Sequence, residues 1–276
     1  MKYSGIYLIV ALAFLGSSRL VYGQQTNTNL TAFAAMMTQL NSDIEAGKHT
    51  EADLAADIRQ FDVVLAGVKG QPQEVSAYIL LQKGILYAKV LNNPEKALAI
   101  FQEIQTNYPG TSIAPQLNDP IKILEGKAAI QKIWDSMPVG SILPDFNGTD
   151  LAGKPLSVAQ FQGKVVLLDF WATWCPPCRR ELPNVVAVYQ KYHPQGFEII
   201  GVTLDDDLAK VSSFIKDSQM PWPEHFEGKG WDNTLTAKYG VEAIPANILL
   251  DAHGRIIARN LMGDDLAQAV AQALVK

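Results

Sequence analysis

The feature that most constrains the fold is the segment 165–183, in which an apolar run leads through a short aromatic stretch to a pair of cysteines. The segment reads VVLLDFWATWCPPCRRELP and contains both cysteines of the 276-residue sequence, Cys175 and Cys178. The run VVLLDF has the length and composition of a buried strand, and the residues after the cysteines favour a helix. The sequence therefore predicts a strand–loop–helix unit with Cys175 where the helix begins.

The spacing of the two cysteines indicates redox chemistry rather than structural cross-linking. A disulfide across two intervening residues closes so short a loop that it adds little stability. A thiol at the start of a helix lies near free backbone N–H groups and the positive end of the helix dipole, so its thiolate is stabilised. Because thiolates attack disulfides, we expect Cys175 to be the nucleophile and Cys178, one turn further along, to resolve the mixed disulfide.

The second half of the chain alternates between apolar runs and helical periodicity, which predicts a mixed sheet covered by helices. We expect strands at Val165–Phe170, Phe197–Leu204, Ala246–Leu250 and Arg255–Arg259. We expect helices at about 181–192, 207–218, 233–239 and 265–275. These elements define a second domain, which we place at 136–276.

The first half of the chain is predicted to be entirely helical. Apolar residues recur at three- and four-residue spacing from Leu30 to about Leu124. The clearest unit, 74–109, resembles a tetratricopeptide repeat, and a generic pair of helical hairpins explains the pattern equally well. We therefore place a helical, tetratricopeptide-like domain with its linker at 24–135.

Residues 1–23 have the pattern of a secretory signal peptide. A positive start at Lys2 precedes about a dozen apolar or small residues, and small side chains follow before Gln24. A membrane-spanning helix needs about 20 apolar residues, so this run is short for an anchor. We expect export to the periplasm and a soluble mature protein without stable membrane insertion; an uncleaved N-terminal anchor is the alternative.

Composition excludes two classes of function. The net charge is −5 and Lys and Arg are not clustered, so we expect no nucleic-acid partner. A zinc site needs four ligands, whereas the chain has two cysteines and its four histidines are scattered singly. We therefore expect no metal and no cofactor.

Three motifs carry a resemblance to a known family. They are FWATWCPPC at 170–178, Glu181-Leu182-Pro183, and Ala243-Ile244-Pro245. Together they resemble the TlpA/ResA-like group of extracytoplasmic thiol–disulfide oxidoreductases in the thioredoxin-like superfamily. The resemblance covers about half of the chain and implies an α/β thioredoxin-like fold, a central mixed sheet flanked by helices, after the all-α domain.

The resemblance also implies roles for two acidic residues. Asp169 matches a buried acid that handles the proton of the inner cysteine, and a carboxyl in a dry site has a raised pKa that suits this exchange. Glu181 matches an acid that tunes the acidity of the cysteines. Since many relatives lack an acid where Asp169 stands, which of the two carries protons stays open.

Substrate contacts follow from the same resemblance. Pro245 is expected to be cis, with the backbone of Ile244 pairing with a bound peptide beside the cysteines. Trp174, Pro176 and Pro177 complete the expected contact surface.

The activity implied is reduction of disulfides in client proteins, as cytochrome c maturation requires, with electrons from a membrane thiol carrier. Two alternatives stay open: a disulfide oxidase or isomerase, and a partner-docking helical protein with a subsidiary redox domain. Sequence cannot choose the direction, since about 30 mV in potential corresponds to only about 1.4 kcal/mol.

Overall fold

The computed structural model describes residues 24–275, and the chain divides into two compact units, one up to Ala129 and one from Ile130. The proposed signal peptide lies outside the described residues. Among the helices of residues 24–275, none combines the length and the apolar character required to cross a bilayer.

The first unit is helical, as expected. Its helices are α1 (Gln24–Glu45), α2 (Ala55–Gly67), α3 (Gln73–Lys89), α4 (Pro94–Asn107) and α5 (Asn118–Asp135), the last of which continues into the second unit. Asn93 caps α4 by accepting a hydrogen bond from the backbone N–H of Lys96, and Pro94 fills the first helical position. These signals stop α3 and start α4 within a few residues.

The close contact between α3 and α4 depends on a glycine. A Cβ at Gly84 would lie 2.2 Å from the ring of Phe101, so only glycine lets the two helices approach at this point. Ala97 is fully buried in the same cluster, with Leu80 and Ile104. The helical hairpin is therefore confirmed, whereas its relation to the tetratricopeptide repeat stays a prediction.

The second unit is built on a five-stranded mixed sheet. The described residues of this unit form seven strands: β1 (Gly148–Thr149), β2 (Pro155–Leu156), β3 (Val165–Trp171), β4 (Phe197–Thr203), β5 (Glu224–Phe226), β6 (Ala246–Leu250) and β7 (Ile256–Arg259). Strands β1 and β2 form a separate hairpin, and the main sheet has the order β5-β4-β3-β6-β7. Strands β4 and β5 continue parallel from β3, and β6 and β7 run antiparallel. The expected mixed sheet is confirmed.

Strand β3 lies at the centre of this sheet, with every residue buried. The apolar run predicted this burial, because a central strand covered on both faces does not alternate with polar positions. The helices that accompany the sheet are α6 (Pro176–Tyr192), α7 (Leu208–Asp217), α8 (Thr234–Tyr239) and α9 (Asp264–Leu274). Helix α6 thus begins close after the end of β3.

The division between the units falls inside α5, while the sequence-based boundary follows residue 135. The last turn of α5 belongs to the second unit for a physical reason. The indole Nε1 of Trp134 donates to the backbone carbonyls of Tyr239, at 3.2 Å, and Gly240, at 3.0 Å. A Cβ at Gly240 would lie 2.8 Å from that nitrogen, so glycine gives the indole access.

Candidate active site

Cys175 is the N-cap of α6, as the sequence predicts. Its Sγ accepts a hydrogen bond of 3.2 Å from the backbone N–H of Cys178, the contact that a helix makes with a capping side chain. The two cysteines form a disulfide with a Cα–Cα distance of 5.3 Å. Both are buried, Cys175 with 3% and Cys178 with 5% of its surface exposed.

Pro176 and Pro177 occupy the first two positions of α6 and have no N–H group. The N–H of Arg179 already donates to the carbonyl oxygen of Cys175. The N–H of Cys178 is therefore the one donor of this turn that reaches the sulfur. The helix dipole adds to it, but a thiolate here has fewer donors than an ordinary helix start supplies.

The loop that faces the disulfide contains the expected cis-proline. The Ile244–Pro245 peptide bond is cis. The carbonyl oxygen of Ile244 lies 3.6 Å from the Sγ of Cys175. Backbone polar groups of this loop thus lie beside the sulfur that a client disulfide would approach.

Behind the disulfide, a cavity of about 20 Å³ brings the inner cysteine and both predicted acids together. Asp169, Cys178, Glu181 and Pro245 contribute to its lining. A volume of this size accommodates about one water molecule. One water in this cavity would connect the Cys178 thiol with a carboxyl group and give its proton a route.

Asp169 is buried near the end of β3, with 8% of its surface exposed. Burial raises the pKa of its carboxyl to about 7, and the negative charge of Glu181 contributes in the same direction. A carboxyl with this pKa exchanges protons near neutral pH.

Glu181 has a different environment, because hydrogen bonds hold its carboxylate in place. Its Oε1 accepts from the backbone N–H of Gly263, at 2.8 Å, and from the amide of Asn184, at 2.6 Å. The same amide of Asn184 donates to the carbonyl oxygen of Gly263. Glu181 therefore ties α6 to the start of α9 and presents its charge to Asp169.

Asp205 is a site residue that sequence reasoning missed, since the run Asp205-Asp206-Asp207 invites a calcium site but lacks the spacing of a calcium loop and is more typical of a helix cap. Asp207 does cap α7, through the N–H groups of Ala209 and Lys210. Asp205 is instead buried and accepts from both the backbone N–H (2.8 Å) and the hydroxyl (2.5 Å) of Thr173. It thus holds the loop that leads into Cys175.

Glu224 is the second missed residue, a fully buried acid on β5. Its two carboxylate oxygens accept hydrogen bonds from the indoles of Trp171, at 2.9 Å, and Trp222, at 2.8 Å. Burial raises the pKa of Glu224 to about 8; the charges of Asp169 and Asp205 also raise it, while the two indole hydrogen bonds oppose the rise. No sequence pattern indicated that this acid is buried, because β5 has only three residues and is too short to show the periodicity of a strand.

The surface next to the disulfide is aromatic. Trp174, directly before Cys175, has 49% of its surface exposed, and Trp231 has 46%. Their ring centroids are 6.4 Å apart. An exposed pair of large aromatic side chains is suited to contact with apolar residues of another protein.

No cluster of three or more His, Cys, Asp or Glu side chains arranged to hold a metal ion occurs between residues 24 and 275. The groups that the site does bring together are a disulfide, a helix start, a cis-proline backbone and a protonatable carboxyl. They supply what thiol–disulfide exchange needs: a nucleophilic sulfur, a resolving sulfur and a proton acceptor.

Comparison with known proteins agrees with this chemistry. The family model described as Redoxin matches residues 138–274. The chain is 33% identical over 142 residues to the thiol-disulfide oxidoreductase ResA of Bacillus thuringiensis subsp. konkukian, covering 51% of this chain and 80% of that protein. It is 35% identical over 136 residues to ResA of Geobacillus thermodenitrificans, covering 48% and 76%.

Among solved structures, the thioredoxin domain of a thiol-disulfide oxidoreductase from Bacteroides vulgatus matches with 33% identity and a TM-score of 0.46, covering 49% of this chain and 97% of that domain. The expected thioredoxin-like fold and the expected enzyme class are confirmed by the sheet, the cysteine pair and the ResA relatives. The chain belongs to the ResA family of thiol–disulfide oxidoreductases.

Proposed function

We propose that this enzyme works outside the cytoplasm as a reductase of client-protein disulfides, in the manner that cytochrome c maturation requires. The observation that supports reduction is the single N–H donor, that of Cys178, at the Sγ of Cys175. A strongly oxidising cysteine pair owes its potential to a stabilised reduced form. A thiolate with few donors is less stabilised, so the disulfide is favoured and the dithiol is a better electron donor.

The exchange proceeds in two steps. The thiolate of Cys175 attacks one client sulfur, a bond forms between the two, and the second client sulfur leaves as a thiolate that takes up a proton. Cys178 then gives its proton to Asp169 and attacks the sulfur of Cys175, which releases the first client sulfur. The client gains two electrons, the pair Cys175–Cys178 becomes the disulfide, and a membrane thiol carrier restores the dithiol.

Of the two acids, Asp169 is proposed as the proton carrier. Its carboxyl lines the cavity with Cys178 and titrates near neutral pH. Glu181 is engaged by Gly263 and Asn184, so it acts through its charge on Asp169. Ile244, Pro245 and Trp174 are proposed to contact the client.

The direction of electron flow is tested by a redox titration of the cysteine pair in glutathione buffers. A reductase has a potential near or below that of thioredoxin, about −270 mV. A potential near about −120 mV, where strong disulfide oxidants lie, would instead support the oxidase alternative.

Export is proposed from the signal-like segment 1–23. Cell fractionation followed by N-terminal sequencing tests it. We expect the protein in the periplasmic fraction with its first residue near Gln24. A cytoplasmic protein that retains Met1 would contradict the proposal.

The helical unit is proposed to bind clients. A groove of about 500 Å³ lies among α2, α3 and the residues around α4, with Ala66 and Ser76 in its lining. Ala66→Arg would obstruct the groove, while Ala99→Arg introduces the same side chain at an exposed position of α4. In a Cys178→Ala background, which traps mixed disulfides, Ala66→Arg but not Ala99→Arg should reduce capture of the native client. In the protein that retains both cysteines, neither change should alter insulin reduction. Equal capture by both variants would contradict this role.

A further inference from the structure

Asp169 and Glu224 lie at the same level of the sheet, on the two strands that flank a glycine of β4. Asp169 on β3 pairs with Gly201 on β4, and Gly201 pairs with Glu224 on β5. In parallel strands, residues at one register level direct their side chains to the same face. The two acids therefore share a face, and the position between them has no side chain.

The glycine allows the Glu224 carboxylate to lie across β4. A Cβ at Gly201 would be 2.1 Å from each carboxylate oxygen of Glu224, so the carboxylate occupies the space where another side chain would stand. Neighbouring strands are about 4.8 Å apart, so this placement moves the charge about one strand spacing towards Asp169.

Two indoles fix the carboxylate in this position. Trp171 donates from β3 and Trp222 from the residues before β5, one to each oxygen. Trp171 also lines the cavity that contains Asp169 and Cys178. Glu224 is thus linked to the redox site by its charge and by a shared aromatic wall.

The charged and titratable groups around the two acids are Asp205 after β4, together with Arg179, Glu181 and Tyr189 on α6. The negative charge of Asp205 disfavours ionisation of Glu224, and the negative charge of Glu181 disfavours ionisation of Asp169. Arg179 has its guanidinium over the ring of Phe214, 5.9 Å from the centroid.

We propose that Glu224 is a positioning residue of the redox centre, whose carboxyl is coupled across Gly201 to Asp169 and sets the base strength of Asp169 towards Cys178. This inference rests on the proposed role of Asp169 as the proton acceptor. Once Glu224 ionises, its charge makes loss of the Asp169 proton harder, and the Asp169 carboxylate becomes a stronger base. Groups coupled in this way titrate as a pair, in two steps.

The coupling places two steps in the pH dependence of the resolving reaction. Burial raises the pKa of Asp169 to about 7 and that of Glu224 to about 8, the latter also through the charge of Asp169. The rate at which Cys178 resolves the mixed disulfide should therefore rise first as Asp169 ionises and again as Glu224 ionises.

The test is a single-turnover reaction of the reduced full-length protein with dithiobis(nitrobenzoate) at a series of pH values. Attack by Cys175 releases the first thionitrobenzoate, and attack by Cys178 releases the second, so the second phase reports resolution. Glu224→Gln should abolish the upper step in the pH profile. Above pH 8 it should also lower the rate of the second phase by about threefold, because the coupling raises the base strength of Asp169 by about one pKa unit and the rate follows about the square root of that base strength. An unchanged profile in Glu224→Gln would overturn the inference.

Two further variants keep the test decisive. Trp222→Phe keeps the carboxyl group of Glu224 and removes one of the two indole donors that lower its pKa. The upper step should therefore move to higher pH, and an unmoved step would contradict the inference. Glu198→Gln is the matched control: it changes a different buried acid, on β4, which is bonded to Tyr189 and Lys164, and it should preserve both steps. If Asp169→Asn leaves the second phase unchanged, the assignment of Asp169 as the proton carrier is wrong. If Asp169→Asn slows the second phase and Glu224→Gln leaves it unchanged, Asp169 remains the proton carrier and only its coupling to Glu224 is wrong.

Discussion

Replacement of Asp169 by asparagine should make the protein more stable at neutral and alkaline pH. Asp169 is buried and its pKa is raised to about 7, whereas an unfolded chain has an aspartate pKa of about 3.9. Between these values the folded protein binds the proton more tightly than the unfolded chain does. The free energy of unfolding therefore falls as the pH rises through about 4 to 7, and stays lower above that range.

The size of this effect follows from the difference between the two pKa values. Three pKa units at about 1.36 kcal/mol each give about 4 kcal/mol as an upper limit for the stability lost by pH 8. Asparagine has nearly the same shape and does not titrate. Relative to the wild type, Asp169→Asn should therefore gain on the order of a few kcal/mol between pH 4 and pH 8.

Urea denaturation of the oxidised protein at pH 4, 6 and 8 measures this change. Tryptophan fluorescence is a selective probe, because all five tryptophans belong to the second unit: Trp134, Trp171, Trp174, Trp222 and Trp231. Asp206→Asn, a change at an exposed acid, is the matched control and should follow the wild type at every pH. A stability difference between Asp169→Asn and wild type that is the same at pH 4 and pH 8 would refute the reasoning.

Three other changes test the site. Pro177→Ala supplies a second N–H at the start of α6, so the pKa of the Cys175 thiol should fall by about one unit, the effect of a charge-assisted hydrogen bond of about 1.5 kcal/mol. The pH dependence of iodoacetamide alkylation measures this pKa, and an unchanged profile would contradict the capping argument. Asp205→Ala leaves the partly buried N–H and hydroxyl of Thr173 without their acceptor, which should lower the free energy of unfolding in urea by on the order of 3 kcal/mol and slow insulin reduction. Unchanged stability and an unchanged rate would contradict this assignment. Trp231→Ala should lower kcat/KM for a protein disulfide by about tenfold and leave the rate with oxidised glutathione unchanged; a parallel loss with both substrates would exclude a client-contact role.

The sequence predicted the central part of the fold because strong local patterns define it. The apolar runs gave β3, β4 and β6 to within one residue at their ends, and the CPPC motif gave the start of α6. A fully buried strand needs a continuous apolar run, and a helix start needs a capping group, so both leave a readable signal.

The missed elements lack such signals. Strand β5 has three residues and contains an acid and a histidine, and the hairpin of β1 and β2 has only two residues in each strand. Both are ordered by pairing with distant residues: β5 follows the register of β4, and Asp150 forms an isolated bridge with His225. Pairing of this kind is decided by the tertiary fold rather than by local propensity.

The missed acids have the same explanation. Glu224 is buried because Gly201, on a neighbouring strand, leaves room for its carboxylate and because two indoles bond to it. Asp205, two residues after β4, is bonded to the distant loop at Thr173. Neither relationship can be derived from spacing along the chain, whereas the resemblance to the TlpA/ResA-like group identified Asp169 and Glu181.

The proposed mechanism depends on Cys175 as the attacking sulfur and Cys178 as the resolving one, and disulfide trapping tests this assignment most directly. Reduced Cys178→Ala and Cys175→Ala variants are incubated with insulin, quenched with acid and alkylated, and the linked peptides are identified by mass spectrometry. We expect a stable mixed disulfide between insulin and Cys175 in Cys178→Ala, and almost none in Cys175→Ala. Trapping through Cys178 in the Cys175→Ala variant, at an equal or higher yield, would contradict it.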